Sequence, residues 1–356
     1  MKNVFLYIEN QNLGRIADVK YRRDTPYQVE SNQSYADIQK QLLKFKINFD
    51  FLSGNKLNPG DIVLVSNITP FFQPRFLTKA LLLKKMLSKK PSGFIDLRRA
   101  IKDNPKVHFI PYLWESEQAE GANWIEARHE DFDRIATWNS AYIERNPLKY
   151  FELNLQAGPL GCIKSEAICL PSEKDIFLST IINAKTSSHP NSGYTYRLNV
   201  LNWYARHEPE RFHLFGGGWE KFISKLSGPD KNRFMQINKG TVENKKDVIS
   251  RSKFYLCIEN CISQNGYVTE KIFDAFRFGA VPIYLGPLNI CSVLPSKSFI
   301  NMRSFLGNVK ELHSYLMALS DEDYANYLNT GRSFLAKNKY TPEAISMQIK
   351  NLVSGL

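Results

Sequence analysis

The chain has 356 residues, 47 Lys and Arg against 35 Asp and Glu, and a formal net charge of +12. At roughly 150 residues per domain this length predicts about two domains, and a composition of 43% hydrophobic and 23% charged residues excludes a disordered chain and fits a soluble globular one. The positive balance favours an anionic partner such as a nucleotide, a nucleic acid or an acidic membrane surface, although the scatter of Lys84-Lys85, Lys89-Lys90, Arg98-Arg99 and Lys245-Lys246 equally suits a solvated surface.

From the first residues, "NVFLYIE" (Asn3 to Glu9) reads as a strand, with no signal-like start before it. "SYADIQKQLLKF" has apolar residues at helical spacing, "DIVLVSN" (Asp61 to Asn67) is a β-branched run of the kind found in buried parallel strands, and "PRFLTKALLLKKML" is a second helix opening at Pro74. "VHFIPYLW" (Val107 to Trp114) is the next strand. The stretch Arg145 to Pro171, with Pro147, Gly158-Pro159 and Gly161, shows no period and is expected to be a linker. The alternation then resumes: "DIFLSTII" (Asp175 to Ile182) a strand, "GYTYRLNVLNWYAR" a helix, "FHLFGGG" a strand running into a glycine turn, "KFYLCIE" a strand and "AVPIYLG" another. The expected architecture is α/β, with two Rossmann-like halves whose parallel sheets face a central cleft, ligands lying beyond the carboxyl ends of the strands. The expected divisions are 1–160, 161–335, and a last segment 336–356, "AKNKYTPEAISMQIKNLVSGL", that reads as an amphipathic helix packing back on the first domain or touching a membrane surface.

No run approaches the roughly 18 apolar residues of a membrane span. Five cysteines, an odd number in a chain long enough to build its own core, are expected to be free thiols, so the expected setting is cytoplasmic, with peripheral contact at the inner membrane face as an alternative.

The chemistry concentrates in "KFYLCIENCISQNGYVTEKIFDAFRFGAVPIYLGP". Lys253 to Glu259 is a strand, Val268 to Phe278 a helix with Ile272, Phe273 and Phe276 on one face, Gly279 its left-handed cap, and Ala280 to Leu285 the next strand. Glu270 and Lys271 therefore fall in the first helical turn. Free N–H groups and the helix dipole favour an anion there and Lys271 adds a charge, while Glu270 is suited to accept hydrogen bonds from sugar hydroxyls. The plainer alternative leaves Glu270 serving the dipole and Lys271 in solvent. Thr269 is a candidate cap, without a Glu or Gln three residues on to complete a capping box.

That segment resembles the donor-binding motif of the α-1,3-fucosyltransferases of glycosyltransferase family ten, in which strand, Glu-Asn, loop, Tyr-Val-Thr-Glu-Lys, helix, Gly-Ala-Val-Pro, strand and Gly-Pro follow in order, and the likeness continues through "LPSKSFINMRSF". Weaker likeness runs upstream through "DIFLSTIINAK" and "YRLNVLNWYARHEPERFHLFGGGW". The resemblance implies the two-domain GT-B architecture and transfer of L-fucose from GDP-fucose, with inversion, to a hydroxyl of an N-acetylglucosamine or N-acetyllactosamine-like acceptor. It implies Arg197 and Lys271 on the diphosphate, Asn260 and Tyr267 in the donor pocket, and Glu270 on ribose or fucose. "LWESEQ" is similar to the family's Glu-Ser-Pro segment and implies Glu115 as general base. Glu117, where proline is usual, competes for that role. "FDRIATWNSAYI" is similar to an acceptor-side stretch of the family but lacks its arginine directly after the tyrosine.

With cations in place no metal cofactor is expected, and the literal Asp-x-Asp matches at Asp131 to Asp133 and Asp321 to Asp323 are ordinary in a chain with 35 acids. Neither GxGxxG nor a P-loop occurs, and the aromatics fall inside strand and helix patterns, so no nucleic-acid partner is expected. A transferase using another nucleotide sugar, and a non-catalytic glycan or nucleic-acid binder, are the alternatives.

Overall fold

The structure, a computed structural model, describes residues 1–8, 26–52, 56–72, 97–157, 171–336 and 338–356. The chain divides into two compact units, Met1–Gly161 with Lys339–Leu356, and Cys162–Asn338. The helix expected from Pro74 falls outside the described residues.

In the first unit, β1 (Lys2–Ile8), α1 (Pro26–Lys44), β2 (Ile47–Phe51), β3 (Ile62–Ser66), β4 (His108–Leu113), β5 (Ile135–Thr137) and β6 (Tyr150–Glu152) build a parallel sheet in the order β2-β1-β3-β4-β5-β6. All five residues of β3 are buried, as a parallel strand covered on both faces requires. The linker expected over Arg145 to Pro171 is corrected at its start. Tyr150–Glu152 is the edge strand, paired Ile135↔Tyr150 through Thr137↔Glu152. Three residues hold too little of a period to be read as a strand from sequence, and 158–170 lie outside the described residues.

The C-terminal helix Pro342–Leu352 belongs to this unit and packs on α1. Thr341 caps it by accepting from Ala344 N at 3.3 Å, and Ile345, Ile349 and Leu352 are buried. Arg134 closes its far end by donating to Leu352 O and Ser354 O, both at 2.7 Å. The apolar face that suggested membrane contact is thus covered by α1. Among the described residues no helix is long and apolar enough to cross a membrane.

In the second unit, β7 (Ile176–Ile181), α2 (Gly193–His207), β8 (Phe212–Phe215), α3 (Lys245–Ile249), β9 (Ser252–Ile258), α4 (Glu270–Phe278), β10 (Val281–Leu285), β11 (Ile300–Asn301) and α5 (Asp321–Ala336) give a second parallel sheet, β11-β10-β9-β7-β8. Strands β7 and β8 progress one way and β9 lies on the other side of β7, so the order reverses between β7 and β9. In such sheets the carboxyl ends at the reversal leave a crevice for a ligand. Asp321 and Asp323 open α5. Ser320 accepts from Asp323 N at 3.1 Å and donates to the Asp323 carboxylate at 2.7 Å, a capping arrangement that accounts for this acidic pair.

Candidate functional site

At the reversal in the second sheet, the residues after β9 fold over the start of α4. Gly279 ends α4 at φ 77°, the left-handed cap expected from sequence, and Ile272, Phe273, Ala275 and Phe276 are buried beneath it. Glu270 is the first residue of this helix. Thr269 stands at the N-cap in extended conformation, but its hydroxyl makes no capping bond. It turns instead to a carboxylate to which the sequence had assigned no role.

That carboxylate is Glu259, with no exposed surface. Its Oε1 accepts from Thr269 N at 2.9 Å and from the Tyr284 hydroxyl at 3.1 Å. Its Oε2 accepts from the Thr269 hydroxyl at 2.7 Å and from Lys271 Nζ at 3.1 Å. Lys271 also donates to Thr269 Oγ1 at 2.8 Å, closing a three-membered ring of hydrogen bonds. A buried carboxylate is tolerable only when paired and hydrogen-bonded, and here four donors do so. The lysine is accordingly no solvated surface group: its side chain is 18% exposed.

Glu270 lies 3.6 Å from Lys271 Nζ. Burial pushes the Glu270 carboxyl upward, but Lys271, Lys245, its own helix-start N–H and the Thr269 hydroxyl override that and hold it down to about 2. Burial pulls the Lys271 ammonium down, and the fields of Glu259 and Glu270 more than reverse it, leaving it above the ordinary lysine range. One turn into α4, Asp274 is buried against Lys245 of α3 at 2.7 Å.

Arg197 comes from the second turn of α2 and is buried. Its Nε donates to Ile258 O at 3.2 Å, its Nη2 to the same oxygen and, at 2.9 Å, to Asn260 Oδ1, and its guanidinium lies 4.7 Å from the centre of the Tyr194 ring. Burial lowers its pKa, against the fields of Tyr194, Glu259, Tyr267 and Glu270. This placement depends on Gly193. Ser192 caps α2 by accepting from Tyr194 N at 3.2 Å, and Gly193 N donates to Asn260 O at 2.9 Å. A Cβ on Gly193 would stand 1.9 Å from Glu259 O, so only glycine lets the helix meet the strand end this closely. Tyr267 is 3% exposed and follows Gly266, which has φ 86°.

The second unit thus brings Arg197, Asn260, Tyr267, Glu270 and Lys271 together around Glu259. Arg197, Lys245 and Lys271 are matched by Glu259, Glu270 and Asp274, so the constellation is charge-balanced, whereas from sequence Lys271 was expected to add a full charge at the helix start. What it can offer an anion is fixed, oriented donors at a helix start rather than net charge. The signal for Glu259 was a glutamate directly after a continuous apolar strand run; its partner could not be read from that.

Glu115 lies in the first unit, two residues beyond β4, half-buried, with Glu117 half-buried further along the same turn. Its backbone N–H donates to Asn67 Oδ1 at 3.0 Å and its carbonyl accepts from Asn123 Nδ2 at 3.1 Å. Ile143, not an arginine, follows Tyr142, and the Arg145 guanidinium lies 4.6 Å from the Tyr142 ring centre. Among the described residues no three His, Cys, Asp or Glu side chains gather where a metal ion would fit. Asp131 and Asp133 are both exposed, just before β5.

Residues 228–351, which hold the motif singled out in the sequence, match the family model described as glycosyltransferase family 10 (fucosyltransferase), C-terminal. The chain is 38% identical over 105 residues to the alpha-(1,3)-fucosyltransferase FucT of Helicobacter pylori, an alignment covering 27% of this chain and 22% of that one. It is 38% identical over 149 residues to the mouse 4-galactosyl-N-acetylglucosaminide 3-alpha-L-fucosyltransferase 9, covering 38% and 36%. The matched stretch therefore spans well under half the length of these relatives. Among solved structures, an α1,3-fucosyltransferase aligns with TM-score 0.56 at 16% identity over 99% of this chain and 91% of that one. The phage T4 β-glucosyltransferase aligns with TM-score 0.54 at 10% identity over 99% and 100%. At such identities these two speak for the fold alone, the two parallel α/β sheets of the GT-B glycosyltransferases.

Proposed function

We propose that this chain is an inverting fucosyltransferase that moves L-fucose from GDP-fucose to a hydroxyl of a glycan acceptor in α-1,3 linkage. The observation that carries the reading is the gathering of Arg197, Asn260, Tyr267, Glu270 and Lys271 around the buried Glu259, within and beside the segment matching the family 10 domain. The relatives' names supply the donor sugar and the linkage, and an acceptor of the galactosyl-N-acetylglucosamine kind. A related α1,3-fucosyltransferase structure is described with GDP-fucose.

The chemistry needs a base at the attacking hydroxyl, a stabilised oxocarbenium-like centre and donors for the charge that builds on departing GDP. Glu115 takes the proton from the acceptor hydroxyl. Fucose C1 forms its new bond to that oxygen as its bond to the β-phosphate oxygen breaks, and the diphosphate itself screens the developing cation. Arg197 and Lys271 receive the leaving charge, with the N–H groups at the start of α4 beside them. Because Lys271 is already neutralised by Glu259, its contribution to a bound diphosphate is a positioned donor. Glu270, ionised at any physiological pH, accepts from a ribose or fucose hydroxyl. Cations standing where the charge develops support a metal-independent reaction. The reading extends to a reducing, cytoplasmic setting, which the free thiols Cys257 and Cys291 among the described residues fit.

The test is a sugar-nucleotide screen. GDP-fucose, UDP-glucose and ADP-glucose are offered with N-acetyllactosamine, and GDP, UDP and ADP are titrated calorimetrically. Selective GDP binding with fucose transfer is expected, and Glu115→Gln should remove transfer while keeping GDP affinity. Salt-sensitive binding of any polyanion without transfer would refute the proposal in favour of a binding protein.

A further inference from the structure

Beyond β3 of the first unit the backbone does something rare. Asn67 has φ 67°, and among the described residues other than glycine only Lys46 also has positive φ. Residues with a Cβ avoid this region, Asn least, and such outliers gather where a site demands a particular geometry. Asn67 N donates to Tyr112 O at 2.7 Å, fastening the end of β3 to β4, and the left-handed turn swings the carboxamide toward the chain leaving β4. There Asn67 Oδ1 accepts from Glu115 N at 3.0 Å and from Asn123 Nδ2 at 2.8 Å.

Asn123 has no exposed surface, and both ends of its amide are engaged. Its Oδ1 accepts from Ile68 N at 2.9 Å, while its Nδ2 donates to Asn67 Oδ1 and, at 3.1 Å, to Glu115 O. Asn123 is itself held from behind. Its carbonyl can only accept, so His129 Nε2, 2.8 Å away, carries the proton, and His129 Nδ1 then accepts from the Tyr150 hydroxyl at 2.9 Å. That relay ends on β6, so the support for Glu115 reaches from β3 to the far edge of the sheet. The loop after Glu115 is closed separately, by Glu120 N to Ser116 O at 2.9 Å and by the Thr69 hydroxyl to Glu120 Oε1 at 2.8 Å. Two amide side chains therefore bind both the N–H and the C=O of Glu115, the residue given the proton-accepting role above, whereas Glu117 lies beyond the clamp.

We infer that Asn67 and Asn123 form a positioning clamp that fixes the Glu115 backbone and so aims its carboxylate at the acceptor hydroxyl. The inference rests on the reading of Glu115 as general base. A carboxylate on a loop free to move by an ångström would lose most of its value as a base, because proton transfer demands near hydrogen-bond geometry in the transition state. The clamp supplies that constraint without touching substrate. Asn67 suits the task because it combines a side-chain acceptor with tolerance of the left-handed backbone.

The experiment separates the carboxamide from the backbone. Asn67→Gly keeps the left-handed turn and removes the acceptor; Asn67→Asp keeps the acceptor and tolerates the turn. With GDP-fucose and N-acetyllactosamine, Asn67→Gly is expected to lower kcat about ten- to a hundredfold, with KM for GDP-fucose and affinity for GDP within about twofold of wild type. Asn67→Asp is expected to recover most of that loss. An Asn67→Gly chain with wild-type kcat overturns the inference. So does one that unfolds or loses GDP affinity together with kcat, since the clamp would then serve stability alone, and so does an Asn67→Asp chain no better than Asn67→Gly. A wild-type chain inert toward GDP-fucose refutes the functional reading and this inference with it, whereas an active wild type with an unaffected Asn67→Gly refutes only the clamp.

Discussion

Replacing Glu259 with Gln tests the central electrostatic claim, that a buried carboxylate organises the second unit's site. The side chain has no exposure and accepts four hydrogen bonds, two on each oxygen. In the glutamine the carbonyl oxygen can replace Oε1 toward Thr269 N and Tyr284, but the NH2 group then meets the Lys271 ammonium donor against donor, and the Thr269 hydroxyl must turn from donating to accepting. Lys271, 18% exposed, also loses its closest counter-charge. Removing one partner of a buried pair costs about 3–5 kcal/mol, which for a unit of this size lowers the melting temperature by about 6–20 °C. Lys271→Met alone strands the carboxylate and should cost about as much. The double variant Glu259→Gln/Lys271→Met leaves no buried charge of the pair uncompensated and should fall short of the sum by about 1–3 kcal/mol. Urea unfolding followed by circular dichroism gives all three stabilities, and calorimetry with GDP reports whether Lys271 keeps its place. A Glu259→Gln chain within about 1 kcal/mol of wild type, or an additive cycle, would refute the reasoning.

Gly193→Ala puts a Cβ 1.9 Å from Glu259 O, so α2 must retreat and carry Arg197 with it. Alanine is the better helix former by about 1 kcal/mol, so a loss of about 1–3 kcal/mol together with weaker GDP binding, read by thermal melt and calorimetry, isolates the collision. Glu270, held down to about 2, contributes stability that is complete above its unfolded value of about 4.3 and is lost as pH falls toward 2. Glu270→Gln should therefore flatten the stability curve across that acid window and leave its shape near pH 7 unchanged, as acid titration of the unfolding midpoint can check. Fucose transfer is expected to persist in excess EDTA, and its abolition, reversed by added Mn²⁺, would return the acidic pairs to consideration.

The sequence alone determined the alternation of buried strands and helices, the left-handed end of α4 at Gly279, the position of Glu270 and Lys271 in its first turn, and the likeness that residues 228–351 bear out. These are local properties: an apolar period, a cap and an ordered motif are written in neighbouring residues. Tertiary structure alone decided that Tyr150–Glu152 is a strand, because a three-residue element is held by its pairing with β5 rather than by its own pattern. It alone decided that Thr269 turns from capping to Glu259, that Lys271 meets the site already paired, and that Gly193 lets α2 close on β9. Periodicity tells which face a side chain takes, but the partner of a charge is set by what the fold brings within about 3 Å, and in a buried site that partner decides the chemistry.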